Sequence, residues 1–463
     1  MNLATHSVLS APQSAALRSF EAQWLSRSAD SLHEVREQAM QRFLRLGLPT
    51  TRDDSWHHTN LRHLAAASFL DAPNLLGELA KREPLNDGLL SASTTTPGAL
   101  VKLSWLACDG VATVLMVNGY PVLPKPNDAS FDGICFNSLR ELARVNPTSL
   151  MGFLQPLADS ERQRWSLLNT ALFVDGLHLK IDARRTQPLL IVHVATGAGE
   201  ASCAYSRVII ETAPNTAATI IEHHVSLSDS PLLSNSATHL HLGANAEIEH
   251  YRVFSTHASA THVDTLDIHQ DRDSRCKQFS IALGGGLVRT NLEAHLNAAG
   301  ASLDSYSLLV GHAARHVDCV NVASHNAPHT RSRQTARAIA SGESRVIFNS
   351  KVVVKAGALH SDSQQSCRGL LLSAKAEIDT RPQLEIHADE VKCAHGASIG
   401  RLDPDMLFYM LSRGLDRDTA QSLLVFAFLA DVLTGMSVPA ARSAIETDLI
   451  AQLPDSQVLR KFR

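Results

Sequence analysis

The stretch that decides the fold runs from Asp362 to Gly400, with the sequence DSQQSCRGLLLSAKAEIDTRPQLEIHADEVKCAHGASIG. Short runs with extended-strand character follow one another here, separated by Gly, Pro and Asp, which are typical of turns. Near its end, Cys393 and His395 stand two residues apart. Side chains at i and i+2 of a strand lie on one face, so a thiol and an imidazole are predicted to project side by side.

Cys393 and His395 are donors that suit zinc, copper or iron, but a closed metal site needs about four ligands. Two interpretations follow. Either further ligands come from elsewhere, including a second subunit, or Cys393 is a buried thiol beside a hydrogen-bonded histidine and no metal binds. The residues alone leave both open.

The same strand-like character extends from residue 169 to residue 399. A phrase of Ala, any residue, then Ile or Leu returns, beginning at Ala218, Ala246, Ala301 and Ala376. Short strands recurring every ~20–50 residues predict a solenoid, whose coils bury a common core only by stacking. An up-and-down β-sandwich is the competing interpretation. The short alternating runs are Leu189–Val194, Ala218–Val225, Glu247–Phe254, Phe279–Leu283 and Val346–Val354.

Helices are predicted on both sides of this region, where they would cover the open ends of a solenoid. We divide the chain into a mostly helical N-terminal domain with a small mixed α/β part (1–165), a β-solenoid core (166–400) and a C-terminal helical domain (401–463). The local signals are helical runs at Ser14–Ala29 and Ser31–Leu46, a strand at Thr113–Val117 before the turn Asn118-Gly119, a short helix at Phe136–Val145, N-caps at Asp403 and Asp416, and a helix start at Pro439.

Composition excludes several classes of function. The chain has 463 residues and a net charge of −4, which gives no support to nucleic-acid binding. No secretory signal is visible at the N-terminus, and the longest apolar run, Leu423–Ala430, is far shorter than the ~20 residues of a membrane span. The seven cysteines are scattered without a CxxC pair, which favours reduced thiols and a cytoplasmic protein.

The chain is rich in histidine, with 23 in all. No carboxylate or cysteine stands at a firm ligand spacing from them in the sequence, so we expect exposed or hydrogen-bonded histidines on the faces of the solenoid. The densest groups are His223-His224, His239-x-His241, and the trio His312, His316 and His325.

Several motifs together resemble the SufB/SufD family of iron–sulfur cluster assembly scaffold proteins, and the SufD branch most of all. The specific part lies between about Ser344 and Gly414. The matching residues are Gln364–Ser366, Leu370–Ser373, Glu377–Ile386, Ala388–Ala397, Leu407–Tyr409 and Ser412–Gly414, with Gly47–Thr50, Arg52-Asp53, Trp56, Leu168–Phe173 and Asp175-Gly176 before them.

The resemblance implies a right-handed parallel β-helix and a non-catalytic role. Such a scaffold pairs with a SufB-like subunit through adjacent β-helix edges and with a SufC-like ABC ATPase, and it receives sulfur indirectly from a donor. It builds a nascent, transient iron–sulfur cluster shared with the partner subunit. Some complexes of the family are associated with a reduced flavin, although no motif here marks a flavin site. A homodimer is an option for the isolated chain.

The resemblance also implies roles for individual residues. His395 is expected to be a cluster ligand, completed by a cysteine of the partner, with Cys393 beside it. Cys367 corresponds to a cysteine that the SufB branch uses in building the cluster, and Arg368 is expected to lower its pKa. A packed core residue is the alternative for Cys367.

Two further regions carry expected contacts with partners. Arg381 and Glu385 are hypothesised to pair across the partner interface, with an ordinary surface ion pair as the alternative. The helix that contains Leu407, Phe408, Tyr409 and Arg413 is expected to dock the ATPase.

Two other functions stay open from the sequence. A β-helix enzyme acting on polysaccharide needs paired carboxylates or an acidic calcium site, whereas the acidic residues here are dispersed. A stand-alone metal-binding module is the other option, and the metal content of the isolated chain would decide it.

Overall fold

The structure is a computed structural model that describes residues 14–75, 104–107, 111–125, 128–154, 163–197, 200–227 and 230–452. The helices are α1 (Ala15–Leu25), α2 (His33–Leu46), α3 (Arg62–Ala66), α4 (Leu139–Val145), α5 (Thr148–Leu154), α6 (Arg164–Leu172), α7 (Pro404–Ser412), α8 (Arg417–Leu433) and α9 (Pro439–Ala451), with 3-10 turns at Asp54–Trp56 and Ala129–Phe131.

In the described part of the chain, most residues of regular secondary structure lie in strands. They are β1 (Leu70–Asp71), β2 (Ala112–Val117), β3 (Tyr120–Val122), β4 (Ile134–Ser138), β5 (Leu177–Ile181), β6 (Leu189–Ala195), β7 (Ser202–Thr212), β8 (Ala217–Ser226), β9 (Leu232–Leu242), β10 (Glu247–Ser255), β11 (Ala260–Gln270), β12 (Arg275–Ala282), β13 (Leu287–Leu296), β14 (Ser302–Gly311), β15 (His316–His325), β16 (Arg331–Ala340), β17 (Arg345–Val354), β18 (Asp362–Leu371), β19 (Glu377–Ile386) and β20 (Lys392–Gly400).

From β5 onward the chain alternates between two sheets. Sheet 1 contains β4, β5 and the odd strands β7 to β19, and sheet 2 contains β2, β3 and the even strands β6 to β20. Each strand pairs in parallel with the strands two before and two after it, as in β9–β11 and β10–β12. About seven coils therefore stack into a parallel β-solenoid, as predicted, and the parallel pairing rules out the up-and-down sandwich.

Sharp corners repeat along one edge of the solenoid, where the chain crosses from sheet 1 to sheet 2. A residue in the left-handed conformation occupies each corner, at intervals of 27 to 31 residues: Asn215, Asn245, Asp273, Gly300, His329, His360 and Glu390. Asn, Asp and Gly tolerate positive φ better than other residues. The phrase that begins at Ala218, Ala246 and Ala301 follows three of these corners, whereas the one at Ala376 follows the opposite edge.

The helices cover the outer faces of the two sheets. Helices α1, α2 and α6 bury their apolar sides against sheet 1, with Trp56 and Trp165 in the same cluster. Helices α8 and α9 pack on the outer face of sheet 2 around Tyr251 and Phe279. Between the sheets lies a separate apolar core, which runs along the interior of the solenoid.

Most local predictions are confirmed. Ser14, Asp403 and Asp416 cap helices α1, α7 and α8 with their side chains. The predicted helix at Phe136–Val145 is wrong in its first part, because β4 continues to Ser138 and the helix begins at Leu139. The predicted domain boundary at 165/166 falls inside α6, and β2–β4 already join the two sheets before it. In the part of the chain that the structure describes, no helix is long and apolar enough to span a bilayer.

Candidate functional site

The last coil of the solenoid, formed by β19 and β20, leaves one end of the stack open. Both strands stand at the margin of their sheets, and no described strand pairs with their outer edges. Strand β20 is well formed but its side chains are half-buried or exposed along the whole strand. An unpaired edge of this kind presents a row of free N–H and C=O groups to another chain.

Cys393 and His395 belong to the interior row of this last coil. In the register of β20 with β18, Cys393 lies beside Ser363 and His395 beside Gln365, and both neighbours are buried in the interior. Because no further coil follows, His395 is exposed and Cys393 is half-buried. Burial raises the pKa of the Cys393 thiol, and the nearby Asp362 carboxylate adds to that shift. The two donors therefore face the open end of the solenoid.

Cys367 lies one coil deeper, also on the interior side of its strand. It pairs in register with Ala397 and is 3% exposed. Burial raises its pKa to about 12. The expectation that Arg368 lowers this pKa is therefore wrong: consecutive strand residues point to opposite faces, so the exposed Arg368 side chain lies on the outer face while the thiol lies inside.

Arg381 and Glu385 both lie on β19, and both have partners within the chain. Arg381 forms an ion pair of 2.6 Å with Asp54, which belongs to the turn before Trp56. Glu385 accepts hydrogen bonds from His387 and from Lys351, and these lower its pKa to about 2. A pairing of Arg381 or Glu385 with a partner subunit stays a prediction.

Helix α7 turns part of its surface away from the protein. Phe408 is 71% exposed and Tyr409 is 56% exposed, and the guanidinium of Arg413 lies 5.1 Å from the centre of the Tyr409 ring. Leu407 points the other way, is buried, and lines a cavity of about 680 Å³ between α7, α8 and the corners of the last coils. Leu407 thus anchors the helix that exposes the other three side chains.

Comparisons with known proteins identify the family of this chain. The family model described as SUF system FeS cluster assembly, SufBD core domain, matches residues 193–428, about half of the chain. This chain belongs to the SufBD family. It is 28% identical to the iron-sulfur cluster assembly protein SufD of Escherichia coli over 94% of this chain and 95% of that protein. Similar values hold for a SufBD family protein of Synechocystis, with 28% identity over 84% of each chain, and SufD of Bacillus subtilis is 22% identical over 68% of this chain and 72% of its own.

The solenoid of this SufBD-family chain also encloses a buried polar cluster that the sequence did not point to. The carboxylate of Glu222 lies 2.9 Å from His193 Nε2 and 2.8 Å from His250 Nε2, with Arg252 Nε at 3.6 Å. Arg252 also pairs with the buried Asp264. Burial alone would raise the pKa of Glu222, yet the Arg252 charge and the two histidines hold it well below its ordinary value. Its charged members pair with one another, and the Arg252–Asp264 pair connects sheet 2 to sheet 1.

Two-residue spacing is the feature of the sequence that could have revealed this cluster. Glu222-x-His224, His250-x-Arg252 and His262-x-Asp264 each place both members in the interior, on neighbouring coils. Apolar-polar alternation alone could not show it, because both faces of these strands are buried.

The histidine groups fare differently from one another. His312, His316 and His325 are not brought together: His312 lies beside Ser341, His316 beside Thr59, and His325 between Thr330 and Ser332. His239 lies on a face of the solenoid and is hydrogen-bonded there, as expected for the histidines, although its partner carboxylate was not apparent from spacing in the sequence. Cross-strand register brings Asp267 within 3.2 Å of its ring.

Proposed function

We propose that this chain is the non-catalytic, SufD-like scaffold subunit of an iron–sulfur cluster assembly complex. The observation that carries the proposal is the open last coil. There an unpaired strand edge and the donors Cys393 and His395 lie together at the open end of the solenoid. Membership of the SufBD family supports it, as does the similarity to SufD of Escherichia coli along nearly the whole chain.

A SufB-like subunit is the proposed partner at this end. The edges of β19 and β20 offer ten and nine residues of backbone. A partner strand that adds to such an edge gains main-chain hydrogen bonds, while side-chain fit gives specificity. A partner solenoid whose own last coil is open would continue both sheets across the interface and would shield the two edges from aggregation.

The nascent iron–sulfur cluster is the cargo of this interface. Thiolates hold most such clusters, and imidazole can replace some of them. His395 supplies a nitrogen donor without moving, and a cysteine of the partner supplies sulfur next to it. Cys393 and Cys367 are protonated thiols while they are buried in the isolated chain, because burial raises the pKa of each. They become usable donors only when the interface opens or a metal displaces the proton.

A SufC-like ABC ATPase is the proposed source of that opening. In the proposal it docks on the exposed side chains Phe408, Tyr409 and Arg413 of α7. Closure of two ATPase subunits then moves the C-terminal helices as rigid bodies and strains the interface. The cavity behind Leu407 gives α7 room to shift relative to the last coils.

The decisive experiment changes His395 to Ala in the assembled complex and reconstitutes the cluster anaerobically. We expect the complex to assemble as the wild type does and cluster yield, followed by absorption and Mössbauer spectra, to be lost. The matched control is His387→Ala, an exposed histidine next to the same end of the solenoid, which should keep full yield. Full cluster yield in the His395 variant would refute the ligand role. Phe408→Ala with Tyr409→Ala tests the docking helix separately, since it should weaken ATPase co-purification without affecting pairing of the scaffold subunits.

A further inference from the structure

The outer face of sheet 1 carries six ligand-type side chains in two rows across three neighbouring strands. In register, His239, Asp267 and Glu293 form one row on β9, β11 and β13, and His241, His269 and His295 form the next. Each strand contributes a pair at i and i+2, so all six project from one face. We call these six residues the histidine grid.

Three imidazoles of the grid converge on one carboxylate. Asp267 lies 3.0 Å from His269 Nε2, 3.2 Å from His239 Nδ1 and 3.4 Å from His295 Nε2. The donor atoms of His239, Asp267 and His269 all lie within 4.8 Å of one another. We propose that the histidine grid is a binding site for a divalent transition-metal ion, with His239, Asp267 and His269 as its ligands; His295, which lies outside that group but 3.4 Å from Asp267, becomes the fourth when its side chain turns toward the ion.

The distances suit such an ion. Zinc–nitrogen and zinc–oxygen bonds are ~2.0–2.2 Å long, so two ligand atoms of a tetrahedral site lie about 3.4 Å apart. The observed separations of 3.0 to 3.4 Å from Asp267 are already close to that value. Small rotations of the side chains therefore make room for the ion, and the backbone stays in place.

The surroundings combine access with orientation. The side chains of Asp267, His269 and His295 are 27%, 17% and 21% exposed, so an ion can reach them from solvent. The rings of His239, His269 and His295 are stacked with centres 4.8 Å apart, which follows the spacing of the strands. Phe153 of α5 packs edge-on against His239 and shields that side of the site.

Charge and ligand chemistry narrow the class of ion. Three imidazoles and one carboxylate are a ligand set for zinc, cobalt, nickel, copper or iron(II), whereas magnesium and calcium prefer oxygen ligands. A second carboxylate, Glu293, stands next to Asp267 in the same row. Zn²⁺ fits best, because it accepts a tetrahedral set of nitrogen and oxygen donors without redox chemistry.

This site is independent of the proposed cluster interface. The grid lies on the outer face of sheet 1, at β9 to β13, whereas Cys393 and His395 lie in the interior row of the last coil. The grid contains nitrogen and oxygen donors alone, while the last coil offers sulfur. Spectroscopy can therefore tell the two apart.

The test uses the full chain, stripped of metal with a chelator, and a titration with Zn²⁺ against a chromogenic competitor. We expect one tight site in the wild type and a loss of affinity of at least about tenfold in Asp267→Asn, since loss of even an outer-shell partner costs ~10–100-fold. His269→Gln is the second variant, which decides the matter if Asp267→Asn fails to fold. The matched control is Glu390→Gln, which removes a carboxylate paired with a single histidine, His360, and should leave the affinity unchanged.

X-ray absorption of the zinc-loaded wild type identifies the ligands directly. We expect nitrogen and oxygen neighbours with imidazole scattering and no sulfur. Sulfur in the first shell would assign the ion to the cysteines and overturn the proposal. Equal affinity in wild type and both variants, or no saturable binding by the wild type, would overturn it as well and leave the grid as a hydrogen-bonded network.

Discussion

Replacement of Arg289 by Met tests how the N-terminal segment is fastened to the solenoid. The Arg289 guanidinium is fully buried and lies 4.2 Å from the centre of the Trp56 ring. It pairs with the buried carboxylate of Asp318, donates to the Ser55 carbonyl at 2.9 Å and to Asn291 Oδ1 at 3.0 Å. One side chain on β13 thus holds the turn at Asp54–Trp56 against sheet 1.

The expected loss in the free energy of unfolding depends on the groups that stay buried after the substitution. Met fills much of the space of the arginine stem, but Asp318 becomes a buried carboxylate without its cation. Removing one partner of a buried ion pair costs about 3–5 kcal/mol, and the lost cation–π contact, worth about 2 kcal/mol when desolvated, adds to the destabilisation. Thr59, which donates to Asp318, still provides one hydrogen bond. We therefore expect a loss of about 4 kcal/mol, near the middle of the range for a broken buried pair.

A double-mutant cycle with Asp318→Asn separates the interaction energy of Arg289 with Asp318 from the other effects of the substitution. The double variant should be less destabilised than the sum of the two single variants, by about 0.5–3 kcal/mol, the range for groups in direct contact. Urea unfolding gives the free energies, and hydrogen exchange of residues 50–61 reports whether the segment opens locally. Arg144→Met is the control, because Arg144 and Glu141 form an exposed pair, and it should leave the stability nearly unchanged. Additive single variants, or an Arg289→Met protein within ~1 kcal/mol of the wild type, would contradict the reasoning.

Three further predictions concern a corner, a buried histidine and helix α7. Gly300→Ala should destabilise the protein by more than ~1 kcal/mol. The reason is that Gly300 has a φ of +77° and that a methyl group there would collide with the neighbouring corner. Thermal unfolding measures the effect, and Gly357→Ala, which has open space around it, is the control. Burial lowers the pKa of His223 to about 3, so the unfolded chain binds a proton that the folded chain does not between pH ~4 and ~6. The free energy of unfolding therefore falls as the pH falls. In His223→Asn, the slope of this free energy against pH, obtained from urea titrations, should be shallower than in the wild type by about 1.4 kcal/mol per pH unit. Equal slopes would show that His223 is not held neutral. Asp403→Ala removes the capping carboxylate that accepts a hydrogen bond from the Asp405 amide at 2.9 Å. We expect a loss of about 1 kcal/mol in helix stability. It should be seen as faster hydrogen exchange confined to the first turn of α7.

The solenoid could be predicted because each of its coils requires the same local structure. Each coil needs two short strands and a tight corner, and the corner residues at Asn215, Asn245 and Asp273 mark that requirement in the sequence. The period was harder to find than the strands. Glu390 occupies the same left-handed position without being a typical residue for it, and His329 and His360 are tolerated there without being strong turn signals in a sequence. Hydrogen bonds between stacked corners, such as His329 N to the Leu359 carbonyl at 2.9 Å, stabilise the conformation.

The site residues were only partly predictable, because their contacts cross the chain at long range. The i, i+2 spacing of Cys393 and His395 indicates a shared face, and the structure places both beside interior residues of β18. The position of Arg381 beside Asp54 could not be predicted, since those residues are 327 positions apart. The same holds for Asp267, which no sequence spacing connects to His239. Cross-strand register, which depends on the length of every corner between them, brings the two together.

The interior of the solenoid explains why polar side chains of its interior rows are exposed at its end. Along sheet 2 one interior row contains Gln278, Ser305, Gln334, Gln365 and His395 on successive coils. In the middle of the stack each member of this row is covered by the next coil, and its polar atoms must find partners inside the protein. The last member has no next coil, so the same geometry that buries Gln334 leaves the His395 imidazole exposed beside a bare strand edge. A solenoid end must be covered to remain soluble, and the helices of this chain cover the outer faces of the sheets instead. The uncovered strand edges and the exposed donors therefore lie at the same end of the solenoid. We expect a second protein to cover these edges and to contact the donors at once.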